Sequence, residues 1–270
     1  MYDYKKIKEE IKEQIQNNNL ILFIGAGIPA TLGIPTWDKL ISLLAEKLDY
    51  DPSVFKLYGD YLSLAEYYRI KKKSINELIE YMSRNWEAND NEIKTSDVYK
   101  CIVKMNCKLI YTTNYENSLE RAFKLYKMPI KKIVDVKDLV GVTPDTTQII
   151  KFHGDLSKKG SIVLAESDYF ERLNFESALD IKLRSDMLGK SILFIGYSLS
   201  DINIRLLLYK LDSLWRKTNN TKRPQSYIFL SNYNPIQEEI FRHRGIEPII
   251  GTEIKPELSL KNFLKELVKE

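Results

Sequence analysis

Short apolar runs that end in small or polar residues constrain the fold of this 270-residue chain more than any other feature. Each run is rich in β-branched and aromatic residues, as expected of a strand that is buried on both faces of a parallel sheet. Segments with helical periodicity separate the runs, and this alternation predicts a doubly wound parallel sheet with helices on both faces. The runs are LILFIGAG near residue 20, KLIYTTNY near 108, QIIKFHGD near 148, SILFIGYS near 191 and SYIFLSN near 226, and IEPIIGT near 246 is expected to add an edge strand.

The helical segments complete a Rossmann-like α/β arrangement, expected to be a single domain over residues 1–270. The stretch from about 51 to 105 has helical periodicity and lacks a convincing strand, which predicts a helical insertion packed beside the sheet. The core is then expected at about 17–50, 106–156 and 186–256. The other helical segments are TWDKLISLLAEKL, YENSLERAFKLY, DINIRLLLYKLDSLW and IQEEIFRHRG.

The composition, 44% apolar and 29% charged, is that of a soluble globular protein long enough to bury a sizeable core. No apolar run approaches the roughly 18 residues needed to cross a bilayer. The N-terminal MYDYKKIKEEIKEQIQ predicts a charged amphipathic helix rather than a secretory signal. The two cysteines, Cys101 and Cys107, exclude a disulfide framework and a four-cysteine zinc site. We therefore expect a cytoplasmic protein.

The formal net charge of +4 does not predict a nucleic-acid partner, because the lysines are dispersed among glutamates and aspartates. Short basic runs at residues 71–73 and 131–132 are typical of solvated helix or loop surface. A basic stripe interleaved with aromatic residues would be the expected signature, and the sequence shows none. Neither a nucleic-acid partner nor a membrane is expected.

Small and polar residues follow each of the predicted strands directly. Because the carboxyl ends of parallel strands meet at one edge of the sheet, where ligands bind in such folds, we expect a single site there. The site would combine glycines, hydroxyls, an amide and an imidazole. The residues are Gly25-Ala26-Gly27, Thr112-Thr113-Asn114, His153-Gly154-Asp155, Gly196-Tyr197-Ser198 and Ser231-Asn232.

The sequence Gly25-Ala26-Gly27 has two interpretations. It can be a simple tight turn, or it can be a phosphate cradle in which the missing Cβ atoms let backbone N–H groups reach an anion. The spacing is not G-x-G-x-x-G, and no Gly-Lys-Ser/Thr follows, so neither the dinucleotide fingerprint nor a Walker loop is present.

His153 is one of two histidines, and its place directly after a strand makes it a candidate for proton exchange near neutral pH. The alternative is a core histidine whose hydrogen bonds are satisfied. His243 lies between arginines near a helix end and is expected at the surface. With two distant histidines and no carboxylate cluster, we expect no metal site.

Asn114 and Asp201 each stand near the start of a helical segment, which makes both of them candidate N-caps. For Asp201 we favour the cap over a chemical role. For Asn114 the cap is the alternative to a role in the predicted site. The aromatic residues of the helical insertion are expected in the core rather than as base-stacking platforms.

The order of these motifs resembles the sirtuins and, more closely, the sirtuin-like NAD hydrolases of bacterial antiphage defence. The motifs are GAG followed by GIP, then TTN, HG, GYS and SN, and they extend from about residue 17 to 256. The segments IYTTNYENSLERA, KFHGDL and LFIGYSLSDINI look especially like the NADase effectors of the Thoeris type. The resemblance implies that NAD is the substrate.

The resemblance also implies a role for each candidate residue. Asn114 would hydrogen-bond the nicotinamide ribose or position the attacking water, and His153 would be the catalytic base or the partner of a ribose hydroxyl. Gly33-Ile34-Pro35 would form a mobile loop beside the nicotinamide. The residues expected to bind NAD are Gly25, Ala26 and Gly27 at the pyrophosphate, Thr113 and Glu116 beside Asn114 in the sequence, Gly196 and Ser198 at the adenosine ribose and phosphate, and Ser231 and Asn232 on the adenine side.

The chain departs from the protein-deacylating sirtuins at several motifs. Thr36-Trp37-Asp38 replaces Asp-Phe-Arg, Asn114-Tyr115-Glu116 replaces Asn-Ile-Asp, and Pro29 takes the place of the usual serine. The zinc module with its paired Cys-x-x-Cys motifs is absent from the sequence. The segment that pairs with an acyl-lysine peptide is also absent, and Ser200-Asp201 opens a helix instead. These departures favour NAD binding without peptide docking.

We therefore expect an NAD glycohydrolase that yields ADP-ribose and nicotinamide, needs no metal and depletes NAD as an antiphage effector. The alternatives are a non-catalytic regulatory subunit that binds NAD or ADP-ribose, and an NAD-dependent protein deacylase. Because an unrestrained NADase would kill its host, we expect control by homo-oligomerisation, by a separately encoded activating or regulatory protein, or by both.

Overall fold

A seven-stranded sheet forms the centre of the computed structural model, which describes residues 4–174, 176–199, 201–217 and 223–269. Every pair of neighbouring strands in this sheet is parallel. The strands are β1 (Leu20–Ile24), β2 (Leu109–Thr112), β3 (Ile130–Ile133), β4 (Thr147–Lys151), β5 (Ser191–Ile195), β6 (Ser226–Leu230) and β7 (Ile246–Ile250). Their spatial order is β3-β4-β2-β1-β5-β6-β7.

Helices cover both faces of the sheet. Short 3₁₀ helices at Val136–Leu139 and Lys159–Ser161 flank β4 in the sequence. The α-helices are α1 (Tyr4–Gln16), α2 (Gly27–Ala30), α3 (Trp37–Lys47), α4 (Pro52–Phe55), α5 (Tyr61–Lys72), α6 (Asn76–Asn85), α7 (Asp90–Thr95), α8 (Asp97–Met105), α9 (Ser118–Leu125), α10 (Glu166–Glu171), α11 (Ala178–Gly189), α12 (Ile202–Arg216), α13 (Pro235–His243) and α14 (Pro256–Leu267).

Strand β1 contributes alternate side chains to two separate apolar cores. Leu22 and Ile24 pack with α1, α3 to α9 and α14 on one face of the sheet. Ile21 and Phe23 pack with α11, α12 and α13 on the other face. Fully burying an aliphatic or aromatic side chain contributes about 1.5–3 kcal/mol to stability. The continuous apolar run of β1 therefore follows from its position in the middle of a covered sheet.

The predicted fold class is confirmed, because the sheet is parallel and covered by helices on both faces. The apolar runs form β1, β2, β4, β5 and β6, and β7 is the expected edge strand.

Strand β3 was not expected, because its sequence IKKI carries two lysines, which were interpreted as part of a solvated surface. It lies at the other edge of the sheet, where lysines are common because they discourage pairing with further strands.

The stretch predicted to be a helical insertion contains α4 to α8. Asp51 and Asp60 cap α4 and α5, since the carboxylate of each accepts hydrogen bonds from two backbone N–H groups at the helix start. Helix α8 packs against α14, which joins this helical layer to the end of the described chain. Among the described residues, every helix is too short or too polar to cross a membrane.

The turn after β1 lies directly against the turn after β5. The N–H of Gly25 donates to the carbonyl of Ile195 at 3.0 Å, and the N–H of Gly27 donates to the carbonyl of Gly196 at 2.9 Å. A Cβ atom on Gly25 would lie only 2.4 Å from the Gly196 carbonyl oxygen. Gly196 has a φ of +58°, in the left-handed region that favours glycine. This close approach of two backbones requires the glycines independently of any ligand.

Substituting Gly25→Ala is expected to lower the free energy of unfolding by about 1–3 kcal/mol, because the added methyl overlaps the turn after β5. Denaturant-induced unfolding followed by circular dichroism measures this. Gly189→Ala, at the end of α11, is the matched control, since a Cβ there meets no heavy atom within 4 Å. Equal stabilities of the two variants would contradict the packing argument.

Candidate active site

The predicted site residues follow strands that are neighbours in the sheet. Strands β4, β2, β1, β5 and β6 are consecutive in the spatial order, and all of them are parallel. Their carboxyl ends therefore lie side by side at one edge, which is the usual position of a ligand crevice in such sheets.

Asn114 connects the turn after β2 to the turn after β1. Its side-chain Nδ2 donates a hydrogen bond to the carbonyl of Gly25 at 3.1 Å, and its backbone N–H donates to Oγ1 of Thr112 at 3.0 Å. Helix α9 begins further on, with Asn117 at the N-cap. The structure therefore excludes the N-cap interpretation of Asn114 and shows that its side chain fixes the geometry of the sheet edge.

A cavity lies beside Asn114, between the turns after β1 and β2 and the segment that leads into α3. Its free space is about 40 Å³, which suits a few water molecules. Pockets that hold small-molecule ligands are larger, about 300–1,000 Å³. The lining residues from the predicted site are Ala26, Thr113, Asn114 and Glu116, together with Ile34 and Pro35 of the predicted mobile loop.

Glu116 places a buried carboxylate in the wall of this cavity. One of its oxygens accepts a hydrogen bond from the N–H of Ser118. The other oxygen, Oε1, has no hydrogen-bond partner among the described residues. A buried acceptor that lacks a donor costs about 1–3 kcal/mol. Glu116 therefore lines the cavity and keeps one acceptor oxygen without a donor among the described residues.

Lys151 ties this turn to β4. Its side chain is fully buried, and its Nζ donates to the carbonyl of Glu116. The same Nζ lies 3.4 Å from Oε1 of Glu120 and 3.8 Å from Oδ2 of Asp155. Burial raises the pKa of Glu120 even though Lys151 lies close to it. A buried cation thus joins the turn that carries Asn114 to the strand that leads to His153.

His153 is buried and is not among the residues that line the cavity. Its ring is 2% exposed, and both nitrogens face protein side chains. The Nδ1 atom lies 3.3 Å from the hydroxyl of Tyr169, and Nε2 lies 3.1 Å from Oδ2 of Asp201. Its burial agrees with the core alternative, but a carboxylate at one ring nitrogen is also the arrangement that orients a histidine for proton transfer.

Asp201 caps helix α12, as predicted, and also contacts His153. One carboxylate oxygen accepts hydrogen bonds from the N–H groups of Asn203 and Ile204 at 2.9 and 3.2 Å. Burial opposes ionisation of Asp201, but His153 and these two N–H groups together hold its pKa below the ordinary value. Asp201 is therefore an anion at neutral pH. Ser200, the other residue of this predicted helix start, lies outside the described residues.

Tyr197 is buried close to Asp201. Burial raises its pKa, the carboxylate of Asp201 raises it further, and contact with the side chain of Thr113 acts in the opposite direction. Thr113 lines the cavity. A neighbour of Tyr197 therefore lines the cavity, although the Tyr197 hydroxyl makes no hydrogen bond among the described residues.

Arg172 fixes the chain immediately before His153. Its guanidinium donates to the carbonyl of Phe152 and to the carboxylate of Asp180. It also lies 3.9 Å from the centre of the Phe152 ring, a cation–π contact. Asp180 is 1% exposed. The end of β4 is thus held by a buried ion pair as well as by the sheet.

The remaining predicted residues lie at the same edge but outside the cavity lining. Gly196 contacts the turn after β1 through its backbone. Ser198 and Asn232 are exposed, and Ser231 is half-buried. His243 is exposed at the end of α13, as expected. The binding roles of Gly196, Ser198, Ser231 and Asn232 stay predictions.

Two tryptophans in the cavity wall were not predicted as site residues. Trp37 begins α3 and stacks on Tyr61, with ring centroids 6.2 Å apart. Trp86 follows α6 and is 6% exposed. Trp86 is buried, as expected for an aromatic residue of the insertion, yet its ring also lines the cavity. Trp37 is close in sequence to the Gly-Ile-Pro motif, and this could have indicated that it lies at the site. Trp86 is distant in sequence from every motif.

Within the described ranges, no group of three or more His, Cys, Asp or Glu side chains could hold a metal ion. Both cysteines are buried free thiols. The expected independence from metal stays a prediction.

The chain belongs to the SIR2-like domain family, whose model matches residues 108–249, more than half of the sequence. This match includes the strand ends that carry Asn114, His153 and Gly196. It confirms the resemblance to the sirtuins that the motif order indicated.

Curated relatives agree with this family. An NAD(+) hydrolase ThsA from Enterococcus faecium is 28% identical over 214 residues, covering 76% of this chain and 42% of that protein. An NAD(+) hydrolase ThsA from Cytobacillus dafuensis is 25% identical over 270 residues, covering 99% and 52%. Defense-associated sirtuin 2 from Bacillus subtilis is 28% identical over 255 residues, covering 89% and 24%. The chain spans about half the length, or less, of these relatives.

Replacing Arg172→Gln is expected to destabilise the protein by about 3–5 kcal/mol, because it leaves Asp180 buried without its cation. The control is Lys158→Gln, which breaks the exposed Lys158–Asp135 pair and should cost about 1 kcal/mol or less. Urea unfolding of both variants checks this. Similar small losses in both would show that the buried pair does not hold the end of β4.

Proposed function

We propose that this protein is an NAD glycohydrolase that cleaves NAD to ADP-ribose and nicotinamide. The observation that carries the proposal is the cavity at the sheet edge, which is lined by Asn114 and by Glu116, a residue with one unpartnered carboxylate oxygen. Membership of the SIR2-like family and relatives named NAD(+) hydrolase support the same activity.

Cleavage of the bond between nicotinamide and ribose passes through a transition state with positive charge on the sugar. The protein must therefore hold the ribose, orient the departing nicotinamide and supply water to the anomeric carbon. Asn114 presents an amide to the sugar, and Glu116 provides an acceptor for a ribose hydroxyl or the nicotinamide carboxamide. His153 would accept a proton from a ribose hydroxyl or from the attacking water.

The segment before α3 must move to admit the substrate. The free space of about 40 Å³ is too small for a nicotinamide ring with its ribose. Ile34 and Pro35 form one wall of the cavity, and Gly33 before them has a φ of +77°. Displacement of this segment and of Trp37 would enlarge the cavity towards solvent, which agrees with the mobile loop expected from the resemblance.

The diphosphate is proposed to rest near Ala26 rather than on the flanking glycines. The N–H groups of Gly25 and Gly27 already donate to the chain after β5, whereas Ala26 lines the cavity. Gly196 and Ser198 would then follow the adenosine ribose, with Ser231 and Asn232 on the adenine side. Binding energy gained along this edge can be used to distort the reacting sugar.

We also propose that the activity serves antiphage defence and is restrained until needed, by oligomerisation or by a separately encoded protein. A relative named as a defence-associated sirtuin supports the first part. Restraint follows from the chemistry, since continuous hydrolysis of NAD would deplete the host cell.

The test is incubation of purified protein with NAD, with nicotinamide and ADP-ribose followed by chromatography, alone and with the products of neighbouring genes. His153→Ala and Asn114→Ala are each expected to lower kcat about 10²–10⁴-fold, the usual contribution of a general base or of a positioning group. His243→Ala is the matched control because it removes the other, exposed histidine.

The outcomes separate the alternatives. Equal turnover by wild type and by the doubly substituted Asn114→Ala, His153→Ala protein would refute the proposed site. Tight NAD binding by calorimetry with no product, even with the partners, would favour a regulatory subunit. Release of acetate from acetyl-lysine peptides would indicate a deacylase.

A further inference from the structure

His153 and Asp201 form a pair whose geometry restricts where the imidazole can carry its hydrogen. The Nε2 and Oδ2 atoms lie 3.1 Å apart, which leaves no room for a third group, but their alignment does not make a hydrogen bond, so the contact is an electrostatic one. Both side chains are buried, 2% and 8% exposed. An anion this close to Nε2 favours a hydrogen on that nitrogen.

The carboxylate of Asp201 cannot rotate away without losing its cap. Its Oδ1 accepts from the N–H groups of Asn203 and Ile204 at the start of α12. Losing an N-cap costs about 0.5–2 kcal/mol. The start of a 15-residue helix therefore holds Oδ2 towards the imidazole.

The second ring nitrogen faces a hydroxyl. The Tyr169 oxygen lies 3.3 Å from Nδ1, and the two rings meet edge to face with centroids 5.1 Å apart. If Nε2 carries the hydrogen, Nδ1 is free to accept one, and the Tyr169 hydroxyl can donate to it. The polar contacts on the two sides of the ring are then mutually consistent.

We propose that Asp201 is a positioning residue that holds His153 in the tautomer with hydrogen on Nε2, which leaves Nδ1, the nitrogen that faces the Tyr169 hydroxyl, as the atom that can accept a proton. The catalytic consequence rests on the proposed NAD glycohydrolase activity. The tautomer itself does not, because it follows from the contacts of the two side chains.

The substitution Asp201→Asn keeps the N-cap of α12 but removes the negative charge beside His153. Asparagine caps helices about as well as aspartate. The cap needs an oxygen that accepts from Asn203 and Ile204, so the amide NH₂ group must take the place of Oδ2. That group is a donor, and it would meet Nε2 of His153. The variant is therefore expected to move the imidazole hydrogen from Nε2 to Nδ1 while α12 stays capped.

Nitrogen-15 NMR of histidine-labelled protein measures the tautomer directly. The chain has two histidines, and His243→Gln assigns the remaining signals to His153. In otherwise unchanged protein at a pH where the ring is neutral, the Nε2–H form should dominate, and with Asp201→Asn the Nδ1–H form should dominate. A dominant Nδ1–H form in the protein with Asp201 intact, or no change on substitution, would overturn the proposal.

Kinetics test the consequence for the reaction. Asp201→Asn is expected to lower kcat for NAD cleavage about 10²–10⁴-fold with little change in KM, as loss of the orienting carboxylate does in serine proteases. Asp60→Asn is the matched control, because Asp60 caps α5 through the same pattern of two N–H groups. It should leave kcat unchanged.

The NMR and kinetic measurements together distinguish failure of this inference from failure of the proposed function. Absence of NAD cleavage by the unsubstituted protein with its partners would refute the function, while the NMR arm still decides the tautomer. Cleavage that depends on His153 but is unaltered by Asp201→Asn would refute the positioning role alone. Thermal unfolding within a few degrees of wild type verifies that both variants are folded.

Discussion

Hydrogen bonds to main-chain carbonyls hold three turns together at the carboxyl edge of the sheet, and the position of Asn114 depends on them. The turn after β1 binds the turn after β5 through the N–H of Gly27, and it accepts the side chain of Asn114 from the turn after β2. A side chain at Gly25 would separate the first two turns. The edge of the sheet that carries the site is therefore held by backbone contacts together with the side chain of Asn114.

Buried charged side chains link these turns to β4 and to the candidate catalytic residue His153. Lys151 joins the turn after β2 to β4, Arg172 holds the residue before His153, and Asp201 faces the imidazole. Removing one partner from a buried ion pair costs several kcal/mol, so such pairs persist only where the surrounding structure supports them. Buried charged side chains gathered near one candidate catalytic residue are a common feature of functional sites.

The sequence was sufficient to predict the fold class and the turns that converge, because apolar runs and the residues that end them are local signals. It also identified Asn114 and Glu116, which line the cavity. It missed β3, whose two lysines suit an edge strand but resemble a surface loop. From the sequence, the glycines after β1 were explained by a bound phosphate or a tight turn. The structure explains them by the close packing of this turn against the turn after β5.

Some contacts at the site could not be predicted from local sequence patterns, because they join residues that are distant in the sequence. Trp86 lines the cavity from the helical insertion on one face of the sheet. Asp201 contacts His153 from the start of α12, which packs on the other face. Asp201 was correctly predicted to be a cap, but a cap motif specifies only one of the two carboxylate oxygens. The direction of the other oxygen depends on how α12 packs on the sheet, which is a property of the tertiary structure.

The central claim is that Asn114 and His153 serve one substrate sugar. A crystal structure of the protein with carbocyclic NAD, an analogue that cannot be hydrolysed, tests this most directly. The account predicts that the nicotinamide ribose lies beside Asn114 and within hydrogen-bond reach of His153 or of its neighbour Tyr169. Residues 33–37 would be displaced to make room. A ring bound elsewhere on the sheet edge, out of contact with both side chains, would contradict it.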